Sequence, residues 1–356
     1  VLGIRPFGAF ANAGAPVLAS IGVPADGLSL VLTYDKSLDE TSVPANTDFA
    51  LGATHATIAS GGVDVTGAVV TLTFPTGIRV HDFEVPTVSY TAGANPIQDT
   101  AGNDAANLSA EATTNNSEFL STAVLLWSVK RAGVFTESAG VLTGITNEVS
   151  GAAGTVNGSL TYSATGFNTS YPGLSGFADT AYVSSTEAAV VAAGADNNDF
   201  TLFVVASGAT DSDSGLFAWA RAGVSFTGVK RFSSNTAGLG RWRIETRSDS
   251  GATVFVTSAA DFDAGAHVLL ARVEAQVASI QVDADAADPS GAALTVASAL
   301  TPDRVSLGAV ADLTPGQPWP GVIAMAVLFS EALAQSAGVT SVDSVRAYLA
   351  ALWGTT

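Results

Sequence analysis

Asp99, Asn103 and Asp104 fall close around Gly102 in the stretch NPIQDTAGNDAANLS, residues 95 to 109. Oxygen-bearing side chains this dense suit a hard cation, but calcium takes about six to eight oxygen ligands. Three side chains fall short of that, and the alternate-position acids and distal glutamate of an EF-hand are missing. The same residues also make a turn. Asp99 can bond the backbone two residues on, Gly102 can take a positive φ, and Asn103 tolerates the left-handed region. The turn is the reading adopted.

Two further loops carry acids and amides. DNNDF (196–200) offers Asp196 and Asn198, and DSDSG (211–215) offers Asp211 and Asp213. If their loops neighbour one another, these four would hold calcium at one end of a β-sandwich; otherwise they are turn formers. Calcium is the one ion these residue types suggest, and no motif calls for another cofactor. Trp319 in GQPWPG stands between two prolines, where an indole either stacks on a sugar ring or fills the rim of a sandwich. In GRWRIETR, Arg241, Arg243 and Arg247 share a strand face with Glu245, opposite Trp242 and Ile244. That face suits an anionic polysaccharide, an acidic neighbouring subunit, or plain solvent.

Catalytic patterns are not evident. His55, His81 and His267 lie far apart, and no H-E-x-x-H, G-x-S-x-G or Walker spelling occurs. Retaining glycosidases need two carboxyl groups about 5–5.5 Å apart. Glu245 has no second acid on its strand, and Asp283, Asp285 and Asp288 read as a solvated turn. The expectation is a protein that is not an enzyme.

The net charge of −18 argues against nucleic acid, whose phosphates need lysine and arginine. Without cysteine there is no disulfide, thiolate nucleophile or cysteine-bound zinc. No apolar run reaches the ~18 residues of a membrane span, so no membrane insertion is expected. Leu2, Ile4, Phe7 and Phe10 make residues 1–15 an apolar arm. Too short and too rich in Gly and Pro to form a core, the arm is expected either to dock a partner, helped by Arg5, or to line the first sandwich as an edge strand. No basic n-region precedes it, so it does not read as a signal peptide. A leader already removed and assembly in the cytoplasm both fit.

These residues are positioned by strands. Hydrophobic residues make up 47% and charged ones only 13%, with a Val, Thr, Ser and Gly palette that favours short strands and turns. LSLVLTY (28–34), VVTLTF (69–74) and PTVSYTA (86–92) alternate between turn clusters, which predicts an antiparallel sandwich over residues 16–116. Residues 117–356 continue in strands: 199–207, 215–221, 240–247, 266–275, 278–285, 304–310 and 321–330. The last is apolar on both faces, as a central strand would be. One helix is expected, in TSVDSVRAYLAALWG, capped by Thr340 or Ser341 and ended by Gly354.

Two resemblances bear on function. LVLTYDKSLDETSVPANTDFAL, VTGAVVTLTF and VSYTAGANPIQDTAGNDAANLSAEATTNN resemble the SwmB-type bacterial immunoglobulin-like repeat. DFTLFVVAS, HVLLARVEAQVASIQVDA, LTPDRVSLGAV and the segment from PWPGVIAMAVLFS to SVRAYLAALWG resemble, in their order, the concanavalin A-like, laminin G-type jelly roll. Together they imply an all-β chain: an immunoglobulin-like β-sandwich, then a concanavalin A-like jelly-roll sandwich with a short C-terminal helix. The first family implies a scaffold without catalysis, while the second serves lectins, enzymes and structural modules alike. The combination suggests a homo-oligomeric phage virion protein, head-decoration or fibre-like, whose partners are other virion subunits and host-surface glycans. The alternative is a secreted or cell-surface bacterial adhesin, and a polysaccharide-active enzyme is the weakest reading.

Overall fold

The computed structural model describes residues 14–131, 133–195, 198–208, 214–221, 229–235, 241–247, 253–261, 265–283, 301–309 and 318–355. The docking-arm residues Leu2, Ile4, Arg5, Phe7 and Phe10 lie outside these, as do Asp196, Asp211 and Asp213. The chain divides into two compact units, Val1–Phe119 and Leu120–Thr356. Both are built of strands, and no helix among the described residues is long and apolar enough to cross a membrane.

The first unit is an immunoglobulin-like sandwich. Its strands are β1 (Leu18–Val23), β2 (Ser29–Tyr34), β3 (Phe49–Gly52), β4 (Val63–Thr66), β5 (Val69–Thr73), β6 (Thr87–Tyr90), β7 (Leu108–Ala112) and β8 (Thr114–Asn115). One sheet runs β4-β5-β2-β1-β8 and the other β3-β6-β7. All pairs are antiparallel except β1 with β8. The alternation selects the core: Leu30, Leu32 and Tyr34 of β2 face inward against Val70 and Leu72 of β5 and Val88 and Tyr90 of β6. Leu28, the first residue of that parity, precedes the strand and is exposed.

In the second unit the strands follow one continuous path of pairing that folds into two layers. One run is Thr253–Asp261, Arg241–Arg247, Val229–Asn235, Gly215–Ala220, Arg304–Leu307, Tyr182–Ser185 and Ala153–Asn157. It turns through Val141–Thr146 into Thr161–Phe167, Tyr171–Ser175, Val322–Phe329, Phe200–Ser207, Ala266–Glu274 and Val277–Val282. Val322–Phe329 and Phe200–Ser207 are buried on both faces. The terminal helix accounts for one face: Val342–Trp353 lies against this sheet, and Trp353 donates its indole N–H to Met325 Sδ at 3.3 Å.

That helix starts where its capping residues direct. The Ser341 hydroxyl accepts from Ser344 N, and Gly354 closes the other end at φ 62°. A second helix, Ala188–Ala193, was not foreseen. Its sequence AAVVAA has too few turns for a period to show, and Gly194 ends it against the Trp219 ring.

Candidate functional site

The polar groups most out of place in an apolar unit are His55, His81 and Glu84. Their side chains are 2%, 0% and 0% exposed. His55 sits on the bend that follows β3, just after Ala53 at φ 53°. His81 and Glu84 belong to a tight turn between β5 and β6, in which Glu84 N donates to His81 O. Asn115 of β8 holds this turn, donating through Nδ2 to the carbonyls of His81 (2.9 Å), Asp82 (3.3 Å) and Glu84 (2.9 Å). Ser117 Oγ donates to Val80 O just before it.

Glu84 is the hub. Oε1 lies 2.9 Å from His55 Nδ1 and 3.6 Å from His81 Nε2, and it also accepts from His55 N. Oε2 accepts from Thr54 Oγ1 at 2.9 Å and from His81 N at 3.3 Å. Burial alone would raise this carboxyl's pKa. The charges of His81 and His55 and the hydrogen bonds from His55 outweigh it and hold the group down to about 2. The two rings stand 5.9 Å apart, tilted by 42°. His55 Nε2 is buried and finds no hydrogen-bond partner, a cost of about 1–3 kcal/mol. Two imidazoles and a carboxylate converging within 4.8 Å can share protons or hold a metal ion.

Sequence reasoning missed this site. The three histidines are distant along the chain, and Glu84 stands in no recognisable motif. The available signal was His81 and Glu84 at three-residue spacing in a sequence otherwise poor in histidine.

The residues singled out from sequence fare differently. Asp99 makes the turn: Oδ1 accepts from Ala101 N and Asn103 N, and Gly102 takes φ 81°. The Asn103 side chain and backbone hydrogen bonds hold the Asp99 carboxyl below its usual range. Trp319 is fully buried, its ring 5.5 Å from that of Trp242 and tilted by 31° to it, so no sugar can reach its face. This corrects the ligand-binding expectation: the indole is core, since apolar burial outweighs display. Arg243 is not free for a ligand either. Its Nη2 lies 2.8 Å from the buried carboxylate of Glu245, and its guanidinium lies 5.7 Å from the ring centroid of Phe255. Arg241 is half-buried at the start of that strand, and Arg247 ends it. Of the calcium set only Asn198 is described, and its Nδ2 donates to Ala192 O. Asp283 accepts from Val268 N and pairs with His267 Nδ1 at 2.6 Å, so it ties two strands together.

Residues 11–95 match a family model described as "Putative flagellar system-associated repeat". The match bears out a bacterial repeat in the N-terminal part of the chain. A search of curated proteins finds no match. Among solved structures, the chain is similar to Trypanosoma rangeli sialidase in complex with the inhibitor DANA, at 13% identity and TM-score 0.40, covering 62% of this chain and 32% of that one. A second structure of that sialidase, in complex with sialic acid, gives 12% identity and TM-score 0.41, covering 95% of this chain and 44% of the other. The Ruminococcus gnavus IT-sialidase CBM40 bound to alpha2,3 sialyllactose gives 15% and 0.33, covering 41% and 82%. The chain thus spans about a third of the length of the first of these sialidases. A likeness this slight carries no functional argument.

Proposed function

We propose that the chain is a non-catalytic structural and adhesive part of a bacterial surface assembly, with the first unit a spacer and the second a display module. The observation that carries this reading is the repeat-family match at residues 11–95. Repeat modules are used in series to give reach, and this one closes a core of its own. The display face we assign is the outer side of Arg241–Arg247 and Thr253–Asp261. Phe255 is 54% exposed there, opposite Glu245 in register and beside Arg243. An exposed aromatic ring suits a glycan, stacking on the apolar face of a pyranose, while Arg243, already paired with Glu245, holds that ring in place. The second placement is a head-decoration or fibre-like subunit of a phage, to which the same spacer and display module would be put.

Cell fractionation and particle purification separate the two placements. Co-sedimentation with cell envelopes supports the surface reading, and co-purification with intact phage replaces it. For binding, the full chain and Phe255→Ala are compared on immobilised acidic and neutral polysaccharides. Retention of the wild type and about tenfold weaker retention of the variant are expected, within the ~1–3 kcal/mol of a lost stacking partner. No retention of the wild type sinks the adhesive role, and release of new reducing ends sinks the non-catalytic one.

A further inference from the structure

We propose that His55, His81 and Glu84 form a binding site for a divalent transition-metal ion of the zinc type in the first unit. Two imidazole nitrogens and one carboxylate oxygen are a donor set that suits zinc, whereas calcium would want oxygens alone.

The spacing fits. Zinc binds nitrogen and oxygen at about 2.0–2.2 Å, which places tetrahedral ligands ~3.3 Å from one another. The observed separations of 2.9 Å for His55 Nδ1 to Glu84 Oε1 and 3.6 Å for His81 Nε2 to Glu84 Oε1 bracket that value. All three donor atoms lie within 4.8 Å of one another.

Metal binding would replace a proton here. Without an ion, His55 Nδ1 donates to Glu84 Oε1 at 2.9 Å; an ion seated between the two takes the Nδ1 lone pair and releases that proton.

The supporting shell is in place. Thr54 Oγ1 and the backbone N–H groups of His55 and His81 fix the Glu84 carboxylate, and Asn115 fixes the turn that carries His81. Three protein ligands leave the fourth tetrahedral position to a solvent molecule. The ion would tie the bend after β3 to the 81–84 turn.

The test uses the full chain, stripped with a chelator and then titrated with zinc by calorimetry and with cobalt by visible absorption. One ion per chain, a four-coordinate cobalt spectrum and a higher melting temperature for the first unit are expected. Removing a partner that only orients a ligand weakens metal affinity about 10–100-fold. Glu84→Gln and His81→Asn, which remove ligands, should lose at least the upper end of that range. His55→Gln lies on a bend and is the variant to use if the other two fail to fold. A wild-type chain that binds neither ion overturns the proposal. So does binding that is unchanged in His55→Gln, which would mark the ion as surface-bound.

Discussion

His55 Nδ1 stands 2.9 Å from Glu84 Oε1 across 29 residues of chain, and that contact joins the bend after β3 to the turn before β6. The carboxylate accepts from Thr54, from the backbone of His55 and from the backbone of His81. Glu84→Ala leaves these donors and both imidazoles buried around a void. The expected cost is about 3–5 kcal/mol in the first unit. Urea unfolding followed separately in the two units should show one transition moved and the other unchanged.

Trp353 closes the second unit. It is fully buried, 5.8 Å from the Phe167 ring at 83°, and its indole donates to Met325 Sδ. Trp353→Ala should cost about 3–5 kcal/mol by opening a cavity under the helix. Trp353→Phe keeps most of the volume and should lose distinctly less. Thermal melts of both variants against wild type give the comparison.

Gly194 ends the short helix where the ring of Trp219 crosses. A Cβ placed there would lie 2.2 Å from that ring, and Trp219 is anchored by its indole N–H donating to Val190 O at 3.0 Å. Neither group can retreat. Gly194→Ala is expected to destabilise the unit by about 1–3 kcal/mol and to alter tryptophan emission in the folded state. A variant that melts with wild type would show that the ring has room to shift.

Lys130 lies 4.7 Å from the Tyr171 ring centroid and 5.3 Å from that of Trp353, and its ammonium donates to Leu352 O at the end of the helix. Burial lowers its pKa to about 8. In the unfolded chain a lysine titrates at about 10.4. Between those values the unfolded state holds more protons, so this group's contribution to stability rises with pH across that window. The stability difference between wild type and Lys130→Met, measured from pH 7.5 to 10, should therefore move in favour of wild type as pH increases. A flat difference would place the folded lysine at its ordinary value.

Much of the scaffold was legible in the sequence because a two-residue period records which side of a strand is wet. Leu30, Leu32 and Tyr34 could be assigned to the core on that ground alone, and they are buried. Local chemistry was equally readable. Asp99, Gly102 and Asn103 build their turn, and Ser341 and Gly354 bound the last helix, because each acts on backbone within a few residues. Period does not say what covers a face. Trp319 between two prolines had the composition of a sugar platform, and only the arrival of Trp242 against it made it core. The same holds for Arg243, whose charge is engaged by a glutamate two residues along its own strand and by an aromatic ring from the next. The His55, His81 and Glu84 cluster depends entirely on tertiary structure. Its members sit on irregular backbone between strands, where no period operates. Their meeting requires the pairing of β3 with β6 and the clamp of Asn115 on the 81–84 turn.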